Sequence, residues 1–188
     1  MTCIVGVVDK GRVWMGGDSA GTDYESLSIV SRADRKVFIN GPYIIGFTDS
    51  FRMGQLLQYK FDPPKPHDDE DLMGFMVTDF IDSARQTLTL GGFSEKKNEV
   101  ETGGQFLVGY NGRLFQIFGD YQVGESTHGY DACGCGFDLA LGALYANAKT
   151  KMDAKKRVVI ALEAAGHFSA GVRPPYHVLA GKLPISDR

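Results

Sequence analysis

The order of strand-like and helical segments in this 188-residue chain predicts an α+β fold, a four-layer αββα sandwich of antiparallel sheets. Two observations support the prediction. Strand and helix patterns occur in separate blocks, in the order strands, two helices, strands, two helices, strands. Tight-turn dipeptides also join neighbouring strands as hairpins, at Lys10-Gly11, Asn40-Gly41 and Asn111-Gly112. Hairpin-linked sheets covered by two pairs of helices give four layers, and residues 1–188 are expected to form one domain.

The first block contains four apolar, β-branched runs that predict strands, over residues 3–8, 13–15, 36–39 and 43–47. Gly16-Gly17-Asp18-Ser19 ends the second of these strands, and the polar residues 21–28 predict a loop. The first helix is expected to begin at a capping residue, Asp49 or Ser50, and to end before the prolines of residues 63–66.

The second helix is predicted from the acidic residues 67–71 and from apolar residues at i, i+3 and i+4 spacing as far as Leu88. Beyond it, residues 105–117 predict another hairpin. Two further helices are expected, one after Gly136 and up to about Lys149, and one over residues 153–165. A strand pair around Val172 and residues 177–179 is expected to close the fold.

Composition narrows the classes of function. The chain is 43% hydrophobic and 23% charged, as in an ordinary globular protein, and its net charge is −3. Without a basic surface field, neither nucleic acid nor an anionic membrane is expected as a partner. No apolar run approaches the roughly 20 residues that span a bilayer, and the first ten residues lack the features of a secretory signal. Three cysteines favour reduced thiols, and therefore a cytoplasmic location.

Thr2 is the first candidate for chemistry. A threonine hydroxyl is a poor nucleophile unless a base takes its proton, and an N-terminal threonine has such a base in its own α-amino group. The α-amino pKa of about 7.7–8.0 allows it to act near neutral pH. This chemistry requires removal of Met1, which we expect. Position alone is weak evidence, because many chains begin with Met-Thr.

Asp18 and Lys36 are candidates because of where the predicted strands end. A hairpin that turns near Lys10 returns Asp18 to the side of Thr2, and Lys36 begins the next strand. Each also has a structural interpretation, Asp18 as a turn carboxylate and Lys36 as a solvated charge at a strand edge. The residues alone leave both interpretations open.

The successive motifs Thr2-Cys3-Ile4-Val5-Gly6-Val7, residues 16–22 (GGDSAGT), Arg35-Lys36-Val37 and Gly134-Cys135-Gly136 resemble those of proteasome β subunits. Within that family the chain most resembles the bacterial HslV-type peptidase subunit, from residue 2 to about residue 180. The 16-residue separation of Thr2 and Asp18 is the family's spacing. The resemblance implies the fold of N-terminal-nucleophile (Ntn) hydrolases.

The resemblance also implies a role for each matching residue. Thr2 would supply the nucleophile and the base, Lys36 would favour the alkoxide, and Asp18 would hold Lys36 in place. Backbone N–H groups at Thr48 and Asp49 would form the oxyanion hole. The family's loop there is rich in Gly and Ala, so the carboxylate of Asp49 would be unfavourable unless it points away.

Cys135 stands where the family usually has a serine beside the nucleophile's amine, and a thiol is the weaker hydrogen-bonding group. A catalytic role and a purely structural role in the Gly-x-Gly turn are both open for it. Ser169 is expected to support the amine of Thr2. In relatives, carbonyls of this loop bind a cation, which implies a Na⁺ or Mg²⁺ site at Gly166, Ser169 and Val172. No cofactor is required.

The function implied is a threonine-type endopeptidase that forms an acyl-enzyme with polypeptide substrates, inside a homo-oligomeric ring that is stacked in pairs. Such a chamber would be fed by an unfolding ATPase. Two alternatives remain: an Ntn amidase that acts on small amides without an ATPase, and a catalytically silent structural ring subunit. Retention of Thr2, Asp18 and Lys36 argues against the silent subunit. Residues near Ala20, Thr22 and Ile45 are expected to influence the cleavage preference.

Overall fold

A computed structural model describes residues 1–23, 25–26, 28–97 and 100–183. The strands in this part of the chain run, in order, β1 Ile4–Asp9, β2 Arg12–Gly17, β3 Ala20–Asp23, β4 Ser28–Ser31, β5 Val37–Asn40, β6 Tyr43–Phe47, β7 Glu95–Lys97, β8 Val100–Thr102, β9 Phe106–Tyr110, β10 Arg113–Ile117, β11 Val123–Glu125, β12 Tyr130–Cys133 and β13 His177–Ala180. The helices are α1 Phe51–Tyr59, α2 Leu72–Phe75, a π-helical turn Met76–Phe80, α3 Ile81–Leu90, α4 Phe137–Asn147 and α5 Ala154–Phe168.

Two antiparallel sheets form the centre of the protein. One has the strand order β12-β1-β2-β13 and the other the order β11-β10-β9-β6-β5. Strands β3 and β4 pair as a separate hairpin, as do β7 and β8. In the first sheet, Ile4 lies opposite Gly17, so the start of β1 is beside the end of β2. This register is the one that the Lys10 turn predicts.

Three apolar clusters connect the layers, which confirms the predicted αββα sandwich. Between the sheets lie side chains such as Ile4, Met15 and Leu107. The outer face of the first sheet buries Val5 and Val7 against α4 and α5, and the second sheet packs on α1, the π-helical turn and α3 through a cluster rich in phenylalanine. Burial of one such large side chain stabilises the fold by roughly 1.5–3 kcal/mol.

Helices α1, α2 and α5 begin at capping residues. Ser50, one of the two candidates, caps α1 by accepting a 3.1 Å hydrogen bond from the N–H of Arg52. Asp71 caps α2 in the same manner through Gly74, and Asp153 caps α5 through Lys156. These side chains satisfy N–H groups that have no partner inside the helix.

Several short strands differ from the predictions. The polar stretch 21–28, predicted as a loop, includes most of β3 and the first residue of β4. Strand β4 is exposed at every residue, so it lacks the buried apolar alternation on which strand prediction depends. Residues 24 and 27 of that stretch lie outside the described residues. The predicted strand at Val172 is wrong: that residue is fully buried but lies in the loop between α5 and β13. Strands β7, β8, β11 and β12 were not predicted. None of the described helices is both long and apolar enough to span a membrane.

Candidate active site

Thr2 lies just before β1, and its side chain is enclosed. It is 5% exposed. The Oγ1 atom accepts a 2.8 Å hydrogen bond from Nζ of Lys36 and donates a 2.5 Å hydrogen bond to the carbonyl oxygen of Met1. The hydroxyl predicted to be the nucleophile therefore contacts the predicted lysine directly.

Asp18 follows β2 and lies beside the start of β1, so the β1–β2 hairpin delivers it as predicted. One carboxylate oxygen accepts hydrogen bonds from the N–H of Cys3 and from Nζ of Lys36, both at 3.0 Å. The other accepts from the N–H of Ala20 at 2.9 Å and of Arg173 at 3.3 Å. Four donors thus stabilise a carboxylate that is 1% exposed, which compensates for the cost of burying its charge.

Lys36 immediately precedes β5 and is 2% exposed. Its ammonium forms a 3.0 Å salt bridge with Asp18 in addition to the bond with Thr2. Burial lowers the pKa of Lys36, and the attraction of Asp18 acts in the opposite direction. A buried ammonium that touches a hydroxyl favours the ionised alkoxide, so this arrangement is suited to activating Thr2.

The loop after β6 corrects one part of the predicted oxyanion hole. The N–H of Thr48 donates to the carbonyl of Gln105 at 3.0 Å and is therefore not available to a substrate. Within the described residues, the N–H of Asp49 has no hydrogen-bond acceptor, so it remains a candidate donor. Asp49 has a positive φ of 58°, and its carboxylate accepts a 2.7 Å bond from the N–H of Gln105. That bond directs the carboxylate to the strand β9 side of the loop.

Cys135 lies next to the main chain of Thr2, and Ser169 contacts Cys135. The N–H of Thr2 donates to Sγ of Cys135 at 3.3 Å, and Sγ is 3.7 Å from Oγ of Ser169. Gly134, with φ 92°, makes this approach possible, because a Cβ there would collide with the carbonyl oxygen of Thr2. The thiol is exposed, unlike those of Cys3 and Cys133. If Met1 is removed, the free amine of Thr2 would lie beside this thiol.

The loop predicted to bind a cation already contacts a cationic side chain. The Nη1 atom of Arg173 donates to the carbonyl oxygens of Ser169 at 3.3 Å and of Val172 at 3.1 Å. A metal ion at these two carbonyls would compete with the guanidinium, so the predicted Na⁺ or Mg²⁺ site is not supported there. Gly166, the third predicted ligand, lies within α5. The described residues also contain no cluster of three or more His, Cys, Asp or Glu side chains that suits a metal.

A small recess adjoins Thr2. Its walls come from the start of the chain, β3, the end of β6 and the first residue of α1: Met1, Thr2, Ala20, Thr22, Phe47, Thr48, Asp49, Ser50 and Phe51. Ala20 and Thr22 were predicted near the substrate, whereas Ile45 is fully buried in the core against the helices. The roles of Phe51 and Arg173 were missed, because an aromatic in a helix and a loop arginine carry no motif.

Comparison with known proteins gives the fold. The sequence matches no protein-family model and no curated protein. Among solved structures, the chain is similar to BPH from Thiobacillus denitrificans, solved in complex with epoxomicin, with 18% identity and a TM-score of 0.80 over 97% of this chain and 100% of that one. It is similar to HslV from Trypanosoma brucei, with 20% identity and a TM-score of 0.69 over 95% and 98% of the two chains. It is also similar to Anbu, the ancestral β-subunit from Yersinia bercovieri, with 15% identity and a TM-score of 0.66 over 95% and 81%.

These neighbours are proteasome-like proteins, and the fold of this chain is the Ntn-hydrolase fold that they share. The fold prediction is thereby confirmed. Identities of 15–20% establish the architecture, and the roles of individual residues rest on the geometry of the site described above.

The buried ion pair generates a test of stability. We expect Asp18→Asn to lower the free energy of unfolding by about 3–5 kcal/mol, because it leaves the Lys36 ammonium buried without a counter-charge. The double variant Asp18→Asn, Lys36→Met is expected to recover part of that loss. Chemical denaturation monitored by circular dichroism measures both. Glu125→Gln, which removes a partly exposed ion pair with Arg113, is the control and should cost at most about 1 kcal/mol. Equal losses for Asp18→Asn and Glu125→Gln would contradict this account of the site.

Proposed function

We propose that this chain is an N-terminal threonine peptidase that cleaves polypeptides through an acyl-enzyme on Thr2. The observation that carries the proposal is the 2.8 Å contact between Nζ of Lys36 and Oγ1 of Thr2, with Asp18 on the other side of the ammonium. A scaffold has no use for a buried ammonium directed at a hydroxyl. A catalytically silent ring subunit is therefore a less favoured function for this chain than an enzyme.

The proposed reaction begins with removal of Met1. While Met1 is attached, the nitrogen of Thr2 belongs to a peptide bond and cannot accept a proton. After removal, that nitrogen is a free amine that can take the proton of the hydroxyl as it attacks the substrate carbonyl. Lys36 stabilises the developing alkoxide, and the N–H of Asp49 is the candidate donor to the oxyanion. The leaving amine takes the proton, and water then hydrolyses the ester on Oγ1. No cofactor enters this sequence.

Self-association is the second element of the proposal. Helix α4 and the end of α5 expose large apolar side chains, namely Phe137 at 42%, Leu139 at 36%, Tyr145 at 76% and Phe168 at 73%. We assign these exposed apolar side chains to a protein interface. We place this surface between copies of the chain in a closed ring, stacked in pairs, with an unfolding ATPase to deliver substrate. Free thiols at all three cysteines suit the cytoplasm.

The nucleophile is tested by replacing it. We expect the intact mass of the purified chain to lack Met1, and we expect this form to hydrolyse fluorogenic peptides. Thr2→Ala should lower kcat by roughly a thousandfold or more, while Thr2→Ser, which keeps a hydroxyl and the amine, should retain measurable activity.

Epoxomicin, bound by the BPH neighbour, is expected to bind the wild type and not Thr2→Ala. Full activity in Thr2→Ala, or in protein that retains Met1, would refute the assignment. Comparison of peptides with short amides separates the peptidase from the small-amide amidase.

Cys135 is tested with a matched pair of variants. Cys135→Ala removes the group that contacts the Thr2 nitrogen and should lower kcat about tenfold, whereas Cys135→Ser restores the stronger hydroxyl and should keep or raise it. Iodoacetamide should inactivate the wild type but not Cys135→Ser, because Cys3 and Cys133 are 0% and 1% exposed. Equal activity in all three proteins would assign Cys135 a purely structural role.

The proposed ring is tested by native mass spectrometry and electron microscopy. Wild-type protein should form a closed homo-oligomer at micromolar concentration. Leu139→Asp combined with Tyr145→Asp should yield smaller species, because charges would have to be buried at the interface. Asp120→Ser, at an exposed loop position, is the control and should leave the assembly intact. A wild-type chain that remains monomeric would contradict the chambered form of the proposal.

A further inference from the structure

The recess beside Thr2 is narrow. With Met1 in place its volume is about 40 Å³, enough for a few atoms but not for a large side chain. Under the proposed function, the substrate carbonyl must lie at Oγ1 of Thr2, so the side chain on that residue of the substrate must enter this recess. The shape of the recess therefore limits which peptide bonds can be cleaved, and its aromatic walls are the rings of Phe47 and Phe51.

The ring of Phe51 lies close to the reacting atoms. Its centroid is 5.5 Å from Nζ of Lys36, and that Nζ is 2.8 Å from Oγ1 of Thr2. Phe51 is the first residue of α1, and the preceding Ser50 caps the helix. Removal of Met1 takes away one wall of the recess, but Phe51 stays in place as part of the helix.

Neighbouring side chains hold the Phe51 ring on two sides. The guanidinium of Arg32 lies 3.8 Å from its centroid, a cation–π contact, and Phe47 meets it edge to face with centroids 5.6 Å apart. The Phe47 ring can occupy its position because a side chain at Gly54 would collide with it. A ring held in this way cannot move aside freely to admit a larger group.

The charge of Arg32 does not make the recess selective for acidic side chains. Its guanidinium forms two 2.7 Å hydrogen bonds with the carboxylate of Asp34, so a counter-charge is already present. Its backbone N–H donates to the carbonyl of Ser19 at 2.8 Å, which fixes the main chain directly after β4. Arg32 supports the ring, and the selectivity that follows is one of size.

We infer that Phe51 is a specificity-determining residue, which restricts cleavage to bonds whose carbonyl belongs to a residue with a small side chain, such as alanine or serine. This inference rests on the proposed function, since it assumes that Thr2 is the nucleophile. A difference of one methylene group in the substrate side chain changes kcat/KM by roughly 10–200-fold in pockets that select by size. The preference for small residues is therefore large enough to measure.

The test uses fluorogenic peptides that differ only at the residue on the carbonyl side of the cleaved bond, which is Ala, Leu, Phe or Asp. For the wild type, kcat/KM for Ala should exceed that for Leu and Phe by roughly tenfold or more, and Asp should gain no advantage. Phe51→Ala should raise kcat/KM for Leu and Phe at least about tenfold relative to kcat/KM for Ala in the same variant. Phe118→Ala, a partly buried phenylalanine outside the recess, is the control and should leave the order unchanged.

A wild type that prefers Leu or Phe, or a Phe51→Ala variant that changes all four substrates equally, would overturn the inference. Phe51→Leu gives a second test that preserves an apolar helix start: it should raise cleavage after Leu more than after Phe, and an unchanged order would also overturn it. Thr2-dependent cleavage with the wrong order rejects only the size limit. Absence of any Thr2-dependent cleavage rejects the proposed function, and the size limit with it.

Discussion

The ion pair between Lys36 and Asp18 is the interaction on which the arrangement of this site depends. Both groups are almost completely buried, so neither charge is tolerable without the other. The backbone supplies further compensation, because three N–H groups converge on the carboxylate. The ammonium also donates to Oγ1 of Thr2 at 2.8 Å and to the carbonyl oxygen of Met1 at 3.4 Å. Asp18 thus offsets the cost of burying the Lys36 ammonium, and the ammonium lies against the hydroxyl of Thr2.

The sandwich explains how distant parts of the chain reach this point. The β1–β2 hairpin places Thr2 beside Asp18, and Lys36 enters from the start of β5 in the other sheet. The loop after α5 encloses Asp18 from a third direction, through the N–H of Arg173. Because the site lies where the ends of two sheets meet, its geometry depends on the packing between them. Glycine at position 46, whose Cβ would meet Ile4 and Met15, allows the sheets to approach this closely.

Much of this could be predicted from the sequence, because it depends on local signals. The Lys10-Gly11 turn fixes the register that brings Asp18 to Thr2, and the glycine turns mark the hairpins. Other features depend on contacts between distant residues. Hydrogen bonding of the Thr48 N–H to Gln105 excludes it as an oxyanion donor, and no local pattern reveals that pairing. Likewise, no local motif shows that the guanidinium of Arg173 donates to the carbonyls of Ser169 and Val172, two of the predicted cation ligands. The exposed strand β4 gave no apolar alternation to detect.

The hydrogen bond from Oγ1 of Thr2 to the carbonyl of Met1 shows that the site is assembled before Met1 is removed. The fold, the ion pair and the turn at Gly134 are all complete while that first residue is attached, yet the nitrogen beside Cys135 is still an amide. Under the proposed function, the folded chain that retains Met1 would be a precursor in which the base is still blocked. Removal of that one residue would complete a site whose other groups are already in place, so maturation would require no refolding.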